Sequence, residues 1–341
     1  MSSPKRQAGP IVISTPNEAG PSPENVMGVE VTFEHLPVML TEVLEVFQPI
    51  EDGLIVDATV GGAGHARALL RQAPAIQLLG IDRDPSAVKM ATHRVAEFGS
   101  RAQVMHGRFD EIGQILDLDG RELSGAVFDL GVSSHQLDTP SRGFSHRHSG
   151  PLDMRMNLHD QLDAAKIVNT YSEDELARLL RENSDERFAR RIADSIISAR
   201  PIESTKELAD VVRAAVPAAA RRKGRHPARK TFQAIRIAVN SELDLIEPAL
   251  TQTIERLRPG GRLVVLSYHS GEDRIVKHVL RDAADGVCVC PSSLPCICGS
   301  EPNVRLLRRK VMRPGVEEIE RNPRAASARF RAAERLSVGE V

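Results

Sequence analysis

The stretch that most constrains this chain is residues 54–64, LIVDATVGGAG, followed by His65. A run of strand-forming apolar residues ends in an acid, Asp57, and then in three glycines within four residues. A buried parallel strand hands over to a helix around a bound ligand in this way. The backbone must turn sharply and approach the ligand closely, which a Cβ would obstruct. A second apolar run, residues 78–81, ends at Asp82, 25 positions after Asp57 (82 minus 57). That is close to the separation at which doubly wound folds place the carboxylate that binds ribose hydroxyls. A third strand at 103–106 leads to Phe109, and a fourth at 126–128 ends at Asp129 before GVSSHQLD. Short apolar strands alternating with helices predict an α/β fold with a mainly parallel sheet and its ligand at the strands' carboxyl ends.

A chain of 341 residues exceeds the usual size of one domain, so two folded units plus tails are expected. Residues 1–30, rich in Pro, Ser, Gly and Asn, read as a disordered tail that buries too little surface to offset chain entropy. Leu40, Val43, Leu44 and Phe47 then recur at helical spacing before Pro49. The α/β rhythm occupies residues 31–138 and resumes over 241–341, where a strand from 262 and a helix from Ser270 precede two candidate antiparallel edge strands, 304–310 and 328–332. Between them, residues 139–240 read as a helical insertion. A long loop at 140–157 comes first, and Ser172–x–x–Glu175 and Ser204–x–x–Glu207 are capping boxes.

A long helix is expected at the end of the insertion. Phe232, Ile235, Val239, Leu243, Ile246 and Leu250 form its core stripe, and Arg229, Gln233, Arg236 and Asn240 a polar face that either holds RNA or is solvated. Net charge is only -1, yet Arg221, Arg222, Lys223, Arg225, Arg229 and Lys230 crowd one stretch free of acids, the distribution that suits a nucleic-acid partner. No apolar run approaches the roughly 20 residues of a membrane span, and no secretory pattern opens the chain, so a soluble cytoplasmic protein is expected, with no membrane partner. Aromatics are 3% and Trp is absent, which implies aliphatic cores.

Four cysteines, Cys288, Cys290, Cys296 and Cys298, lie within the loop 286–300. C-x-C, five residues, C-x-C admits a structural zinc, a disulfide pair or free thiols, although C-x2-C is the commoner zinc spacing.

Three ligands compete for the glycine turn. GGAGHA does not match the G-x-G-x-x-G of a dinucleotide site, and no Lys-Ser/Thr follows as in a P-loop. S-adenosylmethionine, with an adenosine, a ribose diol and an amino-acid end but no phosphate, suits strand-end acids; a purely structural turn is the remaining alternative.

The strings HLPVML (35–40), DATVGGAGH (57–65), GIDRDP (80–85), DLGVSSHQLD (129–138), RGFS (142–145), GPLDMRM (150–156), KTFQAIRIAVNSEL (230–243), PGGRL (259–263), SYHSGEDRIVK (267–277) and NPRA (322–325) resemble the ribosomal RNA small subunit methyltransferase H family, also called MraW. The resemblance spans about residues 33–336. It implies a class I, Rossmann-like, S-adenosylmethionine-dependent methyltransferase with an inserted helical domain, acting on the exocyclic N4 of one cytidine in the decoding region of 16S rRNA, within the small ribosomal subunit; a homo-oligomer is compatible with it. Carried over by position, it implies a cofactor site of Ala63, Gly64, His65, Asp82, Phe109, Asp129 and Gln136. Family members often have glycine where Ala63 stands, a departure tolerated if that residue's φ is negative.

Residue by residue, other roles stay open. Phe109 also fits a core position, His65 a cap or packing role, and Asp57 a brace for the turn. Cytosine N4 is a poor nucleophile because its lone pair is delocalised, so an acceptor for the amino protons is wanted. Asp129 is the candidate, with residues 267–270 as partners, unless the cofactor occupies it fully. A stacked base must be extruded to be reached, and Arg155, Arg229, Lys230 and Arg236 are expected to hold RNA. A DNA amino-methylase would carry a proline-rich motif where DLGVSS stands. A non-catalytic RNA-binding or assembly factor retaining the pocket is the alternative from another class.

Overall fold

The computed structural model of the protein describes residues 37–221, 226–286, 290, 293, 297–298 and 301–337. The tail expected at 1–30 lies outside them. The frame is a seven-stranded sheet: β1 (Asp52–Asp57), β2 (Ala75–Asp82), β3 (Ala102–His106), β4 (Leu123–Asp129), β5 (Leu257–Ser267), β6 (Val304–Leu306) and β7 (Arg329–Arg335). Their spatial order is β3-β2-β1-β4-β5-β7-β6, with β1 to β5 parallel and β7 antiparallel between β5 and β6. This is the mainly parallel, Rossmann-like α/β sheet expected, with its late antiparallel pair. Strand order reverses between β1 and β4, which is where such sheets open a crevice.

The central strands are apolar on both faces because both are covered. Leu54 and Val56 of β1 join Ala126 and Phe128 of β4 in a core under the helices Ile112–Asp119, Ile246–Arg256 and Ser270–Asp285. Ile55 and Val127 point the other way, into a core with Leu40–Phe47, Gly64–Gln72 and Pro85–Val95. Gly125 of β4 makes room for Phe47, whose Cε1 would lie 2.3 Å from a Cβ there.

A third apolar core is built from residues 144–239 and includes Phe144, Ile167, Leu176, Ile192, Leu208, Phe232 and Val239. Its helices are Ala164–Thr170, Glu173–Ser184, Ala189–Ser198, Thr205–Ala215 and Arg229–Asn240. Both capping boxes form: Glu175 N–H donates to Ser172 Oγ and Glu207 N–H to Ser204 Oγ, and each Glu carboxylate accepts in return. The first of these helices, started by Asp163 through Lys166 N–H at 2.7 Å, has too short an apolar period to be read from sequence.

The single long helix expected from 229 to 250 breaks at Asn240. Ser241 turns left-handed (φ 50°), and the chain restarts as Ile246–Arg256. The one stripe therefore serves two cores, Phe232, Ile235 and Val239 the helical one and Ile246 and Leu250 the sheet. Asn240 makes the break useful. Its side chain accepts from Met156 N–H and donates to the Met154 carbonyl, both at 2.8 Å, and so orders the 140–157 loop.

Candidate active site

Asp57, Asp82 and Asp129 end the neighbouring strands β1, β2 and β4 and gather at the switch point. The turn after β1 is fastened to both flanking strands, Ala58 N–H donating to the Val127 carbonyl and Val60 N–H to that of Ile81, each at 2.9 Å. Asp82 fixes the turn's far end: Oδ2 accepts from Gly61 N–H and Oδ1 from Asp84 N–H, both at 2.9 Å. At Gly64 the neighbour that excludes a side chain is Pro37, whose Cγ would sit 2.4 Å from a Cβ. Ala63 has φ 58° and ψ 31°, not the negative φ under which alanine replaces glycine freely. The tight turn that brings Ala63 N–H to the Val60 carbonyl at 2.6 Å requires it, at a cost of about 1–2 kcal/mol.

The three carboxylates differ in access. Asp57 is only 2% exposed and accepts from Thr59 N–H, which makes it a brace for the turn. Burial pushes its pKa up to about 7 against the opposing pull of His65 and Thr59. Burial likewise raises Asp82 to about 6 against its two N–H donors. Asp129 is flanked by protein on most sides, yet 27% of its side-chain surface stays exposed at the strand ends. Its Oδ1 accepts from the Tyr268 hydroxyl at 2.6 Å, and its N–H donates to Thr59 Oγ1 at 2.7 Å. Its Oδ2 lies 3.9 Å from His65 Nδ1. The other nitrogen, Nε2, is 3.0 Å from the Val38 carbonyl, which only accepts, so Nε2 carries a proton. Burial raises the Asp129 pKa, and His65 and Tyr268 offset part of that rise. The same burial, with Asp129 beside it, holds the Tyr268 phenol well above its ordinary value, so it stays a donor.

Behind Tyr268, Glu272 is 1% exposed and accepts from Tyr268 N–H at 2.7 Å. Burial pushes its pKa up, but His269, Arg236 and the Tyr268 N–H outweigh that and hold it below the usual carboxylate range. His269 Nε2 stands 3.0 Å from Glu272 Oε1, off the line of a good hydrogen bond.

Gln136 reaches this site through another residue. Its amide nitrogen donates to Asp84 Oδ2 at 2.8 Å and its oxygen accepts from Ser133 N–H. Arg142 donates to the same Asp84 oxygen at 2.8 Å and to the carbonyls of Arg155 and Met156 at 2.9 Å each. Sequence reasoning missed this buried tie between the end of β2 and the 140–157 loop. Its signal was an arginine in RGFS with a carboxylate in GIDRDP, and nothing in the spacing pairs them. Phe109 is half-buried against the sheet core, edge-on to Phe128 at 6.0 Å, just beyond β3.

Two of the residues expected to hold RNA are engaged within the protein. Arg236 turns inward onto Glu242, with both carboxylate oxygens within 2.9 Å, because the break at Asn240 brings Glu242 back beneath it. Arg155 is clamped by Asp153 and by the carbonyls of Leu158 and Asp160. Both guanidinium groups thus help hold the fold. Lys230 donates to the Asp185 carbonyl at 2.7 Å, and Asp185 also meets Ser270 Oγ at 3.3 Å, so Lys230 and its neighbour Arg229 stand at the rim between the helical core and the end of β5.

Of the cysteines, Cys288 and Cys296 lie outside the described residues; Cys290 is half-buried and Cys298 exposed. Among the described residues no three of His, Cys, Asp and Glu are grouped to take a metal, which lends the zinc expectation no support. No described helix is long and apolar enough to cross a membrane.

The family model described as the MraW methylase family matches residues 32–336. The chain belongs to that family. Among its curated relatives, Ribosomal RNA small subunit methyltransferase H of Heliobacterium modesticaldum is 47% identical over 89% of this chain and 99% of its own length. The protein of the same name from Geobacter sulfurreducens is 50% identical over 89% and 100%. A solved rRNA methylase from Streptococcus thermophilus is also similar, at 10% identity and a TM-score of 0.38 over 86% of this chain and 93% of that one.

For an MraW methylase the charge of the crevice is informative. Asp84 is matched by Arg142, and Glu272 lies against His269 with Arg236 nearby. Among the described residues no Lys or Arg is ion-paired to Asp57, Asp82 or Asp129. A crevice lined by Asp82 and Asp129, neither of them held by a described arginine or lysine, suits a cationic ligand such as a sulfonium nucleoside better than an anionic one.

Proposed function

We propose that the protein methylates the exocyclic N4 of one cytidine in the decoding region of 16S rRNA, within the small ribosomal subunit and in the cytoplasm. Family membership across residues 32–336 and the names of the relatives support the substrate class. The observation that carries the chemistry is Asp129, a carboxylate at the switch point, open to the crevice and fixed by Tyr268 and Thr59. S-adenosylmethionine, when bound, supplies an electrophilic methyl group on a sulfonium.

Asp82 would accept the ribose hydroxyls with the lone pairs its N–H partners leave, and the half-buried ring of Phe109 would cover the base. The Asp129 carboxylate accepts a proton of the cytosine amino group, localises the nitrogen lone pair and takes that proton as the new bond forms. Its raised pKa suits the task, since a base works best with a pKa near the working pH. Holding the nucleophile in attack geometry supplies much of the rest. Arg229 and Lys230 at the rim would hold the RNA backbone. Mass spectrometry of 16S rRNA from a deletion strain tests the reading. Loss of one N4-methylated cytidine is expected, and an unchanged modification pattern removes it.

A further inference from the structure

The 140–157 loop and the start of helix Arg229–Asn240 meet in a ladder of rings. Phe232 is 3% exposed in the helical core. The His146 ring stands over it edge-on, 5.7 Å between centroids at 70°. The His226 ring stacks on His146, 4.6 Å away at 24°. Burial decreases outward: Phe232 is buried, His146 half-buried and His226 exposed. The His226 ring is aimed by its own backbone, Nδ1 accepting from Ala228 N–H at 3.2 Å.

Burial, with His226, Arg147 and Arg229 adding to it, pushes the His146 pKa down to about 4, so its ring is neutral at physiological pH and presents an uncharged face to its neighbour. The cations that act on it flank the ladder. The ladder stands on the same loop that is tied to the end of β2. His146 is four residues from Arg142, a span of at most about 14 Å, and Arg142 grips Asp84 at the end of β2.

An exposed ring with its inner face already stacked, flanked by arginines, has the make-up of a single-strand binding platform. Bases stack on such rings whatever their identity, and cations track the phosphates. We propose that His226, backed by His146 and Phe232, is a stacking platform for an unpaired RNA base neighbouring the nucleotide drawn into the crevice. This deepens the RNA reading above and rests on it.

The test uses the full-length protein, H226A and H226F, with two probes: purified small ribosomal subunits and a single-stranded oligoribonucleotide of decoding-region sequence. Cofactor affinity by calorimetry serves as the control for folding. A stacked base is worth about 1–3 kcal/mol, so H226A should bind both probes about 5- to 150-fold more weakly. H226F should stay within about 3-fold of the wild type, and the salt dependence should not change, because no phosphate contact is lost.

Unchanged affinity in H226A, or an equal loss in H226F, overturns the platform. A salt slope reduced by about one makes His226 a phosphate contact instead and likewise overturns it. A loss confined to subunits, with oligoribonucleotide binding unchanged, assigns the ring to another part of the subunit and overturns it too; where the wild type binds subunits alone, the subunit affinities of H226A and H226F decide by the same criteria. A wild type that binds neither probe removes the RNA reading together with the platform.

Discussion

Arg142→Ala should be among the most damaging single substitutions outside the crevice itself, and its size follows from what the guanidinium touches. Its side chain is 9% exposed and that of Asp84 3%, with 2.8 Å between them. Removing the guanidinium leaves a buried carboxylate with only Gln136 and Ser86 N–H as partners, and strips a donor from the Arg155 and Met156 carbonyls. Removing one partner of a buried ion pair costs about 3–5 kcal/mol, because the other charge remains desolvated. With a urea slope of about 3 kcal/mol per M, the unfolding midpoint should fall by about 1–1.7 M. The pair replaced together, Asp84→Leu with Arg142→Met, should lose far less than the sum of the single changes, since no charge is stranded. Equilibrium urea unfolding of the wild type, Arg142→Ala, Arg142→Met, Asp84→Leu and the double variant, followed by circular dichroism, measures both the single loss and the cycle. A shift for Arg142→Ala of under about 1 kcal/mol, or simple additivity, would refute the view that this tie is a coupled buried pair.

Four further outcomes are expected. Tyr268→Phe removes a hydrogen bond that lowers the Asp129 pKa, so the acid limb of the pH–kcat profile should move to higher pH; an unmoved limb separates Tyr268 from the base. Asp129→Asn should reduce kcat by about 100-fold or more while RNA affinity holds, as read by single-turnover methyl transfer. Asp57 titrates at about 7 in the fold against 3.8 for a free carboxyl, so the folded state keeps a proton that the unfolded chain gives up between those values. That contribution to stability is full below about pH 3.8 and lost as pH rises through about 7. Asp57→Asn should therefore unfold with less loss of stability over that rise than the wild type. Arg229→Glu with Lys230→Glu should weaken RNA binding and flatten its salt dependence, leaving cofactor affinity intact, whereas Arg236→Glu, which sets two acids together, should instead lower the melting temperature.

The sheet was legible because its strands are covered on both faces. Continuous apolar runs closed by Asp57, Asp82 and Asp129 leave little choice of architecture. Capping boxes at Ser172 and Ser204 were equally plain, being local chemistry. What could not be read depends on contacts between distant segments. Arg236 sits on the polar face of a helix in any sequence pattern, and only the break at Asn240 places Glu242 beneath it. Arg155 likewise looks like a solvated cation until Asp153 and two carbonyls close around it. Gln136 and Arg142 meet on Asp84 across 52 and 58 residues of chain. Ala63 carried a rule about φ that its turn overrides.

We propose that strand-end carboxylates hold a sulfonium nucleoside beside a cytosine amino group. Incubating the pure protein with methyl-labelled S-adenosylmethionine and unmodified small subunits, then digesting the 16S rRNA to nucleosides, decides this. Label is expected in N4-methylcytidine alone, and absent with Asp129→Asn at matched times. Label in another nucleoside, or none under conditions where cofactor binding is demonstrated, would contradict it.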